Sequence, residues 1–223
     1  MADPMKGTPL EGFELPEDVF GLGAAELAYL MARHETPAGE RSRRLLMLDP
    51  RAADDAALLA GASSLASRGW LTVSDDGTPE SRSNAALVEY AVGAATRWTR
   101  IGLVGENVSQ ADFAILVESD TVIALMQPRQ LASWFIRLGE RDGNTGALVT
   151  GLVRERFAAN AESGVFLEVQ TLDGSANLAI RRSGTDFEAL TDVAGPGTGT
   201  GGVVDAEGLQ GAVSALYTEK VDA

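Results

Sequence analysis

The sequence predicts an α+β protein: an antiparallel sheet flanked by helices, with two strand-strand-helix halves in a quasi-symmetric arrangement. Three observations predict it. In residues 112–126, Phe113, Ile115 and Val117 alternate with Ala114, Leu116 and Glu118; after a turn at 118–121, Val122, Ala124 and Met126 alternate with Ile123 and Leu125. Period two marks strands, and the mostly apolar run means that both sheet faces are at least partly covered. The pattern returns at 165–180, where Val165, Leu167 and Val169 alternate with Glu168 and Gln170, Asp173–Gly174 is a hairpin turn signal, and Ala176, Leu178 and Ile180 continue. Each pair is followed by an apolar stripe of helical period: Leu131, Phe135 and Leu138 behind Pro128, and Leu209, Val213, Leu216 and Tyr217 after Asp205. The units are thus 112–139 and 165–218.

The other elements follow in order. Residues 1–21 read as an extended N-terminal arm with scattered apolar side chains (Leu10, Phe13, Leu15, Val19, Phe20), and Leu15 is held extended by Pro16. Residues 22–223 read as a single domain, with halves at about 22–143 and 144–223. Leu27, Leu30 and Met31 share one face of a helix over 24–33, which His34, Thr36, Pro37 and Gly39 terminate. The run LLML at 45–48 fits a short strand or a helical turn. A helix over 52–67 carries Asp54 and Asp55 in its first turn, where carboxylates suit the dipole, and Leu58, Ala62 and Leu65 as its stripe. Gly69 follows as a C′ residue. Trp70–Val73 and the turn 74–77 form a β-arm. A helix over 83–98 places Leu87, Ala91, Ala94 and Trp98 on one side. Residues 100–105 form a strand, 147–159 a helix with Val149, Val153 and Phe157 inward, 185–193 a short strand, and 195–202 (GPGTGTGG) a flexible loop.

Composition bounds the function. The 223 residues are 45% hydrophobic and 22% charged, ordinary for a soluble globular chain with a proper core. Cysteine is absent, which excludes disulfides, thiolate metal sites and cysteine nucleophiles and fits a reducing compartment. The N-terminus has no apolar signal-peptide core, and no apolar run reaches the roughly 20 residues of a membrane helix. These features predict a cytoplasmic protein. A net charge of −14 repels nucleic acid and anionic lipid and favours a partner with a basic patch. A helix, helix and β-wing order over 52–98 is compatible with a winged helix, but the would-be reading helix bears Glu89 and only Arg97 near its end.

No catalytic constellation is visible, and no cofactor is predicted. His34 is the only histidine and reads as a surface or helix-end residue. The glycine-rich loop lacks the GK[ST] ending of a P-loop and the βαβ context of a dinucleotide fingerprint. The pairs Asp54/Asp55 and Asp75/Asp76 read as helix-start and turn residues. No GxSxG elbow occurs. Among the tryptophans, Trp98 reads as core. Trp134 lies beside Phe135, whose helical stripe faces inward, so it points outward and is the candidate partner-binding anchor; the alternative is packing under a loop or beside the 147–159 helix.

Three stretches together carry a family resemblance: the Leu-rich helix ending in SRGWLTVSDDG, the unit ADFAILVESDTVIALMQPRQLASWFIRL, and VFLEVQTLDGSANLAIRR followed by VDAEGLQGAVSAL. In order and spacing, over about residues 52–218, they resemble the EspG-type chaperones of actinobacterial type VII (ESX) secretion. The resemblance implies a quasi-symmetric α+β fold and a non-catalytic role, binding a helical secreted heterodimer in the cytosol. It carries over no binding residue. The alternative is a small-molecule binder or enzyme with a pocket between the sheet halves, using Arg100, Glu118, Asp120, Glu168 and Arg181. A structural oligomer, with contacts through the arm and the glycine-rich loop, is a third reading.

Overall fold

In the computed structural model, residues 17–48, 54–104, 112–129, 132–193 and 199–218 are described. The chain first adds an edge strand, β1 (Val19–Gly23), so the sheet begins within the stretch expected as an arm; residues 1–16 lie outside the described residues. α1 (Ala24–Ala32) starts where Glu26 accepts a hydrogen bond from the Gly23 backbone N–H at 2.8 Å, and it buries Leu27, Leu30 and Met31. α2 (Pro37–Leu45) occupies the segment expected to end a helix. Thr36 is its N-cap, accepting from Gly39 N at 3.0 Å, and Pro37 is its first residue, so the apparent breakers are start signals.

α3 (Asp55–Ser67) crosses α1 at Gly61. A Cβ there would lie 2.2 Å from the Ala25 carbonyl oxygen. Gly61→Ala is therefore expected to push the helices apart and cost about 1–3 kcal/mol, measured as a lower urea midpoint at unchanged slope. β2 (Leu71–Val73) and β3 (Pro79–Ser81) form the small hairpin, turned at Gly77 with φ +85°. α4 (Ser83–Gly93) ends before Trp98, which belongs to β4 (Arg97–Val104). The core role expected of Trp98 holds, on a strand.

β5 (Asp112–Glu118) and β6 (Val122–Arg129) are the expected hairpin. The helix expected after Pro128 is instead a strand, β7 (Ser133–Glu140). Leu131, Phe135 and Leu138 fit a helical period, yet Trp134, Ile136 and Leu138 fit period two equally well; pairing with β6, Met126 opposite Ile136, decides the matter. α5 (Thr145–Ala159) buries Val149, Val153 and Phe157 as expected. β8 (Gly164–Gln170), β9 (Ser175–Ser183) and β10 (Asp186–Thr191) form a meander that continues into β11 (Thr200–Val204), where a loop was expected; 194–198 lie outside the described residues. α6 (Ala206–Thr218) closes the described chain.

The large sheet is antiparallel with nine strands in the order β1-β7-β6-β5-β4-β8-β9-β10-β11. The α+β class and the two-half plan hold, with larger units: β4–β7 then α5, and β8–β11 then α6. β4 and β8 are the central pair, Ile101 opposite Leu167, and the two meanders run outward from them.

Helices cover the sheet unequally. On the front face, α1, α3 and α4 lie over the first half, with Leu27, Leu30, Leu65, Val88 and Val92 packed against Trp98, Ile115, Met126 and Ile136. On the back, α5 and α6 lie against Ile101, Leu116, Leu167, Leu178 and Ile180 through Val149, Val153, Leu209 and Val213. No described helix covers the front of β8–β11. There the pattern alternates strictly, Val165, Leu167 and Val169 buried behind, and Phe166, Glu168 and Gln170 partly exposed in front.

Candidate protein-binding face

The pairing registers set the front of the second half into rows. Phe113 faces Gly102, Gly102 faces Phe166, Phe166 faces Ala179, Ala179 faces Leu190, and Leu190 faces Gly201. Side chains directly opposite on antiparallel strands share a face, so these six make one apolar row across six strands. Bulky Phe113, Phe166 and Leu190 alternate with glycine or alanine, giving a ridged trench. Gly102 keeps its floor low: a Cβ there would stand in ordinary contact with the Phe166 carbonyl oxygen and Cβ at 3.6 and 3.8 Å. At about 4.8 Å between strands the row spans about 24 Å, the length of roughly 16 helical residues at 1.5 Å each.

Polar rows flank it. On one side Arg100 faces Glu168, which faces Asn177. On the other, Arg181 faces and ion-pairs with Glu188, which faces Val203, an edge-strand residue 60% exposed. An apolar stripe with charged margins, on a sheet face that no described helix covers, is the complement of an amphipathic helix.

The structure divides the polar residues expected to share a pocket. Arg100, Glu168 and Arg181 lie on this front. Glu118 is fully buried at the end of β5, where Thr145 Oγ1 donates to its Oε1 at 2.7 Å and Arg97 and Arg141 stand 3.7 and 3.6 Å away. Asp120, in the following turn, accepts from the Tyr90 hydroxyl, which raises the tyrosine's pKa. Those five groups do not converge.

Trp134 is corrected by the structure. It sits on β7, 5% exposed, facing inward with Leu22 opposite, and its ring meets Phe113 edge-on at 6.4 Å. The buried indole presents almost no surface; it packs beside Phe113, the first residue of the row. Trp134→Ala is expected to destabilise the fold by about 3 kcal/mol in chemical denaturation. His34 packs against Gly93, where a Cβ would lie 2.5 Å from Nδ1, and faces Glu89 at 3.3 Å. Among the described residues no group of three potential metal-ligating side chains gathers, and no helix is long and apolar enough to cross a membrane.

A second recess of about 590 Å³ lies between exposed Leu87 of α4 and Val122 and Leu138 of the sheet, with Asp120 and Glu140 at its rim.

No family model matches the chain, and no curated protein does. Solved structures do. The type VII secretion system chaperone EspG5 of Mycobacterium tuberculosis, in complex with the PE25–PPE41 dimer, aligns over 89% of this chain and 95% of its own, with a TM-score of 0.50 and 12% identity. At that identity the likeness is one of fold, and it is the fold of the family whose pattern the sequence resembles.

Proposed function

We propose that the chain is a non-catalytic chaperone of a type VII secretion system. It binds a helical secreted protein pair in the cytoplasm by taking one amphipathic helix along the row from Phe113 to Gly201. The observation that carries this reading is the apolar row on a half-sheet whose front no described helix covers, in a fold like that of a secretion chaperone. The partner's helix would cover β8–β11 much as α1, α3 and α4 cover the first half. The net charge of −14 favours basic residues on the partner's margins. Trp134 contributes from the side, by packing against Phe113.

The test is native affinity purification of the tagged chain from its source cells, read by mass spectrometry. A stoichiometric helical pair should co-purify. Ala179→Arg, which places a charged stem in the trench at a partly exposed position, should abolish recovery while thermal stability stays within about 2 °C. Leu87→Ser, in the recess beside α4, should leave recovery intact. Retention of the partner by Ala179→Arg, or wild-type protein with no partner, would overturn the proposal.

A further inference from the structure

Where α5 begins and α6 ends, residues of both halves line a partly open cavity of about 250 Å³. Its walls include Arg97, Arg141, Asn144, Thr145, Ser214 and Thr218. They supply guanidinium, hydroxyl and amide groups, and among the described residues no carboxylate lines the cavity. The two arginines share one buried counter-charge, Glu118, at 3.6–3.7 Å, beyond a normal hydrogen bond. Arg97 commits Nη2 to the Tyr217 carbonyl, and Arg141 commits Nη1 to the carbonyl of Ser119 and the hydroxyl of Thr96. A guanidinium has five N–H donors, so each keeps others to offer. Both side chains are about three-quarters buried, at 22% and 24% exposure, which strengthens their field on anything inside.

The geometry holds these donors in place. Arg97 lies over the Tyr217 ring at 5.2 Å. α5 and α6 touch at Gly146, where a Cβ would be 2.9 Å from Ser214 Oγ, so the Ser214 hydroxyl is set against the start of α5. No side chain caps α5; Asp142, the nearest loop acid, spends a carboxylate oxygen on the Asn144 N–H. Among the described residues, two cations against one buried anion leave an excess positive charge facing a donor-lined cavity.

We propose that this cavity binds a phosphate group, as the free ion or a small monoester, clamped between Arg97 and Arg141. Paired guanidiniums match phosphate oxygens in geometry and charge, whereas a neutral ligand would leave the excess charge unanswered. The volume exceeds what the ion alone fills, which leaves room for a small ester substituent. The site lies outside the apolar row and stands independently of the chaperone reading.

The experiment is isothermal titration of the full chain with inorganic phosphate and, separately, with glycerol phosphate, at constant ionic strength set by chloride. Saturable one-site binding in the millimolar range or tighter is expected for at least one of them. Arg141→Gln should weaken it at least tenfold. Thr218→Asp, an exposed rim change that adds a carboxylate without touching the core, should do the same with the melting temperature unchanged. Arg154→Gln, remote from the cavity, should leave affinity within twofold. No saturable binding of either probe at 10 mM, or binding that survives Thr218→Asp undiminished, would overturn the assignment.

Discussion

Trp98→Ala is expected to lower stability by about 3–5 kcal/mol, enough to unfold much of the population of an ordinary domain at moderate urea. The indole is fully buried on the central strand beneath α2 and α4. It is also a hydrogen-bonding joint. Trp98 Nε1 donates to Ser42 Oγ at 2.9 Å, and Ser42 Oγ donates to the Val92 carbonyl at 2.8 Å, tying β4 to α2 and α4. Truncation therefore removes a large apolar volume, leaves a cavity, and strips Ser42 of its donor inside the core. Trp98→Phe keeps most of the volume and loses only the N–H bond, so it should cost about half as much. Urea denaturation followed by far-ultraviolet circular dichroism separates the two; a loss below about 1 kcal/mol for the alanine variant would refute the joint.

Glu118→Ala is expected to cost about 3 kcal/mol. The carboxylate is the one buried counter-charge between Arg97 and Arg141 and the acceptor for Thr145 Oγ1. Removing it leaves two like charges facing each other at reduced dielectric. The arginines are partly exposed and so partly screened, which holds the figure below that of a fully buried pair. Two controls sharpen the measurement. Glu118→Gln retains an acceptor for Thr145 and should cost less than the alanine change. Added salt should recover part of the loss in Glu118→Ala, because it screens the exposed sides of the two guanidiniums. A salt-independent loss would mean that packing, and not charge, is the cause.

These two positions also show what can be read from one chain. Residues 113–126 and 165–180 announce themselves because alternation is a local property, visible in any short window. Trp98 announces its burial but not its element, since Leu87, Ala91 and Ala94 extend a helical stripe onto a residue that β5 and β8 claim from both sides. The same competition hides β7, where Leu138 fits both periods and only Ile136 opposite Met126 resolves them. α2 is hidden for a chemical reason: proline and glycine interrupt a helix in mid-course yet suit its first turn, and only Thr36 marks which applies. The apolar row is less legible still. Its members come from six strands, and two of them, Gly102 and Ala179, matter because they are small. Nothing in a linear window distinguishes them from any other glycine or alanine. Trp134 drew attention by its size, and its size is what the core needed.

The pairing of β4 with β8 brings Ile101 opposite Leu167, residues 66 positions apart (167 − 101). During synthesis the first meander can assemble as soon as β7 has emerged, but β4 must then wait with one margin unpaired until β8 arrives. The row from Phe113 to Gly201 does not exist before that moment, because Gly102 and Phe166 meet only across this seam. Anything that recognises the whole row therefore meets it only after the second meander has paired with the first.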